Sequence, residues 1–331
     1  MVIVESFPVA VGLCLVTMLC WGSWANTQKM AGPAWPFQCF YWDYSLGVLL
    51  LALAAAFTLG SFGDAGRPFL ADLAQADADA IGSALLGGAI FNLSNILLVA
   101  SIGIAGMAVA FPVGVGLALV IGVVTSYLAK PVGSPQLIAA GVVAITLAIV
   151  LDAIAYRRLA TTPNSTPRLG IMLAVTAGLL MGFFYRFVVA SMATDFAAPE
   201  PGRLGPYAAL VCFAAGLFLS SFVWNSLAMA WPFQGPPVPW ASYISGAASL
   251  HVIGILGGMI WSVGMGLSIL ASGKAGPAVS YGLGQGATMV AAVWGVFVWR
   301  EFQAAPVGTA RLLALMFLLY GIGLVLLVMA R

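Results

Sequence analysis

The run LLGGAIFNLSNILLVASIGIAGMAVAFPVGVGLALVIGVVTSYLAK, residues 85–130, returns as ILGGMIWSVGMGLSILASGKAGPAVSYGLGQGATMVAAVWGVFVWR, residues 255–300. Laid over each other without a gap, the two stretches share fourteen of 46 positions, among them LGG at 86–88 over 256–258 and the glycines at 114 and 116 over 284 and 286. An internal repeat of this length decides a fold before any single element does. Each copy is long enough for two membrane helices. An odd number of helices in each half turns the second copy over relative to the first, an arrangement used by many secondary transporters.

Outward from the repeat, the chain remains apolar. Of 331 residues, 62% are hydrophobic and 7% charged, against about a quarter charged in soluble domains. Ten apolar runs of about 20 residues, the length that crosses about 30 Å of hydrocarbon, follow one another. They lie near 7–27, 37–59, 81–101, 104–129, 134–156, 169–190, 205–229, 249–271, 276–299 and 308–330. The sequence therefore predicts an all-α membrane protein of ten transmembrane helices arranged as two inverted five-helix repeats. Residues 1–157 form the first repeat, 158–168 a connecting loop and 169–331 the second. The first run has Glu5 where a secretory signal carries basic residues, so it reads as a helix that stays.

Several function classes drop out. A net charge of +2 gives no reason to expect a nucleic-acid partner. Cys14, Cys20, Cys39 and Cys212 lie in or beside apolar runs without metal-ligand spacing, and read as small buried hydrophobes. No phosphate-cradling motif or catalytic triad is present, so an enzyme is not expected, nor is a cofactor. Basic residues divide almost evenly between the two faces. The cluster Arg157, Arg158, Arg168 tips the 157–168 loop toward the cytoplasm and both termini outside, in an inner (cytoplasmic) membrane. The short loops fit a bacterial protein.

Polar groups within apolar runs mark function by default. Trp24 and Asn26 close the first run; they read as an interfacial anchor or as a stacking wall with an amide beside it. Asp43, in FYWDYS, must be protonated or partnered, and is the candidate proton carrier; the plainer reading hydrogen-bonds it to Tyr41 or Tyr44. Asn92 and Asn95 share one helical face, as substrate contacts or as interhelical glue. Phe111, Trp261, Tyr281 and Gln285 complete the candidate substrate site within the two copies. Arg186, in GFFYRFVV, either snorkels to the interface or holds an acidic or carbonyl-rich substrate. Glu5 and His251 join Asp43 as candidates for ion coupling, while Asp152 reads as a satisfied helix-end residue.

VES at 4–6, GSW at 22–24, DYSLGVLLLA at 43–52, FTLGSFG at 57–63 and WGVFVWREF at 294–302 resemble the plant ureide permeases. LGGMIW at 256–261 and the Asn-bearing third helix are also similar to the bacterial rhamnose–proton symporter and glucose-uptake proteins, all in the drug/metabolite transporter superfamily. The resemblance implies import of a small polar neutral solute, usually coupled to a proton. An oxo-nitrogen heterocycle such as allantoin or a nucleobase comes first, a sugar second, and export of a metabolite or drug third. Glu5, Trp24, Asp43, Asn95, Gln285 and Glu301 stand at matching positions, whereas Met265 replaces a second-half Asn and Arg186 departs from the pattern. The partners expected are the solute and the bilayer, with a monomer sufficient for transport.

Overall fold

The protein is described here by a computed structural model covering residues 1–33, 35–159 and 168–331, with the side chains of Met107, Ala108 and Phe111 outside the described set. Among the described residues, ten helices are long and apolar enough to cross a membrane. They are α1 (Phe7–Ala31), α2 (Phe37–Phe57), α3 (Ala78–Ala105), α4 (Pro112–Ala129) and α5 (Pro135–Leu159), then α6 (Arg168–Ser191), α7 (Pro206–Ala230), α8 (Ala248–Ala275), α9 (Pro277–Val298) and α10 (Thr309–Met329). The apolar run length sets each span, and the residues between them break helix for local reasons. Gly106 and Gly276, at equivalent places in the two copies, take φ of 78° and 83° and turn the chain sharply from α3 into the approach to α4, and from α8 into α9. An L-side chain rarely adopts that conformation.

Three spans are not regular throughout. The first is interrupted at Trp24, between segments Phe7–Ser23 and Ala25–Ala31. The fourth begins within a π-helical turn, Phe111–Val115, where Pro112 offers no N–H to the ladder. The ninth is broken at Gln285 and Gly286, and ends in a second π turn, Trp294–Val298. Alternation of the spans brings both chain ends to one side of the bundle, where the amino terminus donates to the carbonyls of Gly63 and Ala65. The side that carries the 157–168 connection is called the seam end below; residues 160–167 themselves lie outside the described residues.

Lipid tails offer helices no hydrophobic reward for pairing, so close backbone approach and side-chain hydrogen bonds must hold them. Two crossings show this most plainly. A Cβ at Gly88 of α3 would overlap the Phe213 carbonyl of α7, and one at Gly216 would overlap the Leu85 carbonyl. A Cβ at Gly258 of α8 would likewise overlap the Tyr44 carbonyl of α2, and one at Gly47 the Ile255 carbonyl. Leu85 and Gly88 stand 170 residues before Ile255 and Gly258, and Tyr44 and Gly47 stand 169 before Phe213 and Gly216. The same four-residue contact is thus built twice, once between α3 and α7 and once between α8 and α2. Serines on α3 then seal it to α6: Ser83 Oγ donates to Phe187 O (2.7 Å), Ser94 Oγ to Ala177 O (2.8 Å) and Ser101 Oγ to Gly170 O (2.8 Å).

Candidate functional site

Near the seam end, α2 and α8 bring together two residues 208 positions apart. Asp43, 2% exposed, has both carboxylate oxygens 3.0 Å from Nδ1 of His251, whose side chain is 25% exposed. Tyr243 Oη donates to Asp43 Oδ1 at 2.8 Å from the short helix Trp240–Ile244. The approach needs a helix face without side chains. A Cβ at Gly254 would press on Asp43 Cβ, and one at Gly246 would press on the Trp35 ring and on His251 Nε2. Trp35 meets the imidazole edge-on at 5.2 Å and stacks near Tyr243 at 6.2 Å. Burial first, then the hydrogen bond to the Asp43 carboxylate, hold the Tyr243 phenol above its ordinary range, so it remains a donor. The sequence reading named Tyr41 or Tyr44 as the partner for Asp43; the structure gives Tyr243 and His251 instead. An acid and an imidazole in contact, with one edge of the ring reachable from outside, can hold a proton between them and release it.

Deeper in the bundle the centre is aromatic. Trp261 lies 4.5 Å from Phe91, 5.7 Å from Trp21 and 5.8 Å from Phe213, with Tyr44 6.4 Å away edge-on. Trp24 sits 4.8 Å from Tyr44, which stacks on Tyr41 at 5.2 Å. Among these rings, Asn95 Nδ2 donates to Tyr41 Oη at 3.4 Å, and Tyr44 Oη has no partner among the described residues. Gln285 lies at the break in α9, and its side-chain amide makes no hydrogen bond among the described residues. The centre thus gathers aromatic faces around an amide, a phenol and a hydroxyl that has no partner among the described residues.

Other sequence candidates are placed elsewhere. Asn92 Nδ2 donates to Leu217 O, Ser220 Oγ and Ser221 Oγ on α7, at 3.0, 2.7 and 3.2 Å, so the interhelical-glue reading describes it. Tyr281 is fully buried, donating to the Ala118 and Met181 carbonyls. Asn26 Oδ1 accepts from Trp299 Nε1 at 2.6 Å, tying the end of α1 to the end of α9, beside the Lys29–Glu301 ion pair at 2.7 Å. Arg186 is exposed and lines a cleft of about 370 Å³ at the opposite end with Lys130, Thr125 and Ser272. Glu5 is exposed ahead of α1 and has no ion pair among the described residues. Phe111 falls outside the described side chains. Asp152 is not satisfied as expected, since its Oδ1 is buried without a partner among the described residues. The reading by runs passed over Tyr243 and Trp35, which lie in connecting segments. Their signal was aromatics set among prolines and glycines in connecting segments: Trp35 in GPAWP at 32–36, and Tyr243 in WPFQGPPVPWASYISGA at 231–247.

No group of His, Cys, Asp and Glu among the described residues could hold a metal ion. Architecture and site define a polytopic helical membrane protein with a buried acid against a part-exposed imidazole at one end and an aromatic centre. Its sequence resembles the ureide permeases. Residues 40–164 match the family model described as ureide permease. Ureide permease 1 of Arabidopsis thaliana is 20% identical over 378 aligned positions, covering 97% of this chain and 96% of the relative. Ureide permease 2 of the same plant is 22% identical over 386, with the same two shares. A protein of known crystal structure superposes with a TM-score of 0.62 at 15% identity, covering 97% of this chain and 98% of its own, and shares the fold. The likeness is to transporters and not to enzymes.

Proposed function

We propose that the chain is a proton-coupled secondary transporter that imports a small, flat, polar solute of the ureide or oxo-heterocycle class. The observation that carries this reading is the Asp43–His251 pair, buried at the junction of α2, α8 and the helix Trp240–Ile244. A carboxylate at that depth keeps its charge only while a cation or donors face it, so loading and unloading a proton alters what holds the seam end shut. Solute then occupies the aromatic centre between Trp24 and Trp261, with Asn95, Tyr41 and Gln285 as hydrogen-bonding groups. The doubled glycine crossing supports two five-helix halves related by inversion, which alternately expose the centre to either side. The reading sets the chain in a cytoplasmic membrane with the 157–168 loop inside, one copy sufficing.

The test is uptake into proteoliposomes with allantoin and uracil as probes, under an imposed pH gradient. Asp43→Asn is expected to abolish accumulation against a gradient while leaving counterflow exchange partly intact. Gradient-driven accumulation that persists in this variant removes Asp43 from the coupling role. Absence of uptake and of ligand-dependent thermal stabilisation with both probes removes the solute class.

A further inference from the structure

Outside the site just described, the span α5 holds a carboxyl group with nothing to neutralise it. Asp152 is 6% exposed, its Oδ1 has no hydrogen-bond partner, and no cation pairs with it among the described residues. It stands seven residues before the end of α5, about 10 Å of helix from the seam end. One turn on, Tyr156 Oη donates to Glu301 Oε2 at 3.0 Å, and Glu301 Oε1 pairs with Lys29 at 2.7 Å. Lys29 is therefore already matched by Glu301, and Arg157 and Arg158, in the last turn of α5, and Arg300, beside Glu301, make no ion pair with Asp152 among the described residues. From α10, Tyr320 faces the same region, and its Oη donates inward to Thr288 Oγ1 at 2.8 Å; that hydroxyl in turn donates to the Gln285 carbonyl at 2.9 Å. Arg311 lies at the exposed start of α10, and the other titratable groups on helices packed against α5 are the phenols Tyr127 and Tyr281.

An ionised carboxylate buried in a span without cation or donor costs several kcal/mol, and a second carboxylate in reach raises that cost. The group avoids it by carrying a proton. We propose that Asp152 is a second proton-binding carboxyl of this protein, loaded from the seam end through Glu301 and Tyr156 and independent of the Asp43–His251 pair. The polar string Lys29–Glu301–Tyr156 supplies the outer steps, and Tyr320–Thr288 continues from Asp152 toward the break in α9. Proton transfer needs no other reactant: a hydronium ion gives a proton to a Glu301 oxygen and leaves as water, Tyr156 Oη accepts that proton while its own hydroxyl proton passes to a carboxylate oxygen of Asp152, and the phenol O–H then turns back to Glu301. That the proton moves during a transport cycle rests on the carrier reading above; that it is bound does not.

The experiment is infrared spectroscopy of the whole protein in lipid nanodiscs at neutral pH, in H2O and D2O. A protonated-carboxyl C=O band that shifts on deuteration is expected in the wild type and in Asp43→Asn, and is expected to be lost when Asp152→Asn is added to Asp43→Asn. Glu301→Gln should keep the band and slow its exchange. Absence of the band from Asp43→Asn, or a band in Asp43→Asn that survives the added Asp152→Asn change, means the Asp152 carboxyl is ionised and overturns the site. The second readout is the proton-to-solute ratio from reversal potentials in proteoliposomes. Asp152→Asn should lower it by one proton while accumulation continues; an unchanged ratio with the band lost makes the proton static and overturns the coupled role. If wild type carries neither probe, the carrier reading fails, while the infrared result still decides the site.

Discussion

Removing the Tyr243 hydroxyl isolates the contact that binds the Trp240–Ile244 helix to α2. Tyr243→Phe keeps the ring packed against Trp35 and His251 and deletes only the 2.8 Å hydrogen bond to Asp43 Oδ1. A hydrogen bond to an ionised group contributes about 1.5–3 kcal/mol; Tyr243 is only half-buried, which puts this one at the lower end. If the bond exists only while the seam end is closed, its loss shifts the closed–open equilibrium by that amount, about tenfold toward open. The reporter is native. Cys39 lies one turn before Asp43 on the same face of α2 and is fully buried in the closed arrangement. In a background with Cys14, Cys20 and Cys212 changed to Ser, alkylation of Cys39 by a hydrophilic maleimide measures the open fraction. The rate should rise about tenfold in Tyr243→Phe and fall back when a bound solute closes the site. Equal rates for Tyr and Phe would show that the hydrogen bond survives opening, and the latch reasoning would be wrong.

Further outcomes follow from the packing. Gly88→Ala and Gly258→Ala each put a methyl against a carbonyl of the crossing helix, and should cost about 1–3 kcal/mol or more in thermal unfolding. Gly82→Ala, on the same helix as Gly88 with open space at the site, should be neutral or stabilise by up to about 1 kcal/mol. Asn92→Leu removes three donor contacts to α7 and should lower thermal stability by about 1–3 kcal/mol while leaving solute KM unchanged, which a direct contact with solute would not allow. Lys29→Met should change stability by less than about 1 kcal/mol, because the Lys29–Glu301 pair is 46% and 32% exposed. Arg186→Gln should leave the melting point and neutral-solute uptake unaltered but weaken inhibition by anionic analogues, since the guanidinium borders the open cleft with Lys130.

Element count and span positions were legible because hydrocarbon thickness imposes a run length that composition reports directly. The glycines at 88 and 258 could be read as close-packing residues, but not which helix each meets, because that depends on how ten spans assemble. Asp43 stood out as a carboxylate that needs a partner, and His251 as a lone imidazole. Nothing local joins two residues 208 positions apart; only the α2–α8 crossing does so. Asn92 and Asn95 look alike on a helical wheel, yet one reaches α7 hydroxyls and the other a phenol among rings. Arg186 shows the converse. Past Arg168 its helix carries no other charge, and whether it turns inward or outward is a matter of neighbours that no single span reveals.

The doubled crossing also governs how the chain must be made. α2 finds its tight partner in α8, and α3 in α7, so neither early helix can complete its packing from its own half. At about 5–20 residues per second, a ribosome needs on the order of ten to thirty seconds to travel from the end of α3 to the end of α8. During that interval Asp43 and Asn92 sit in a half-built membrane protein without His251 or the α7 hydroxyls. Either the insertion machinery shelters those side chains, or the first half lingers at the interface and sinks only when its counterpart arrives. A stalled nascent chain ending near residue 205 should therefore be far more vulnerable to membrane quality-control proteases than one released at full length.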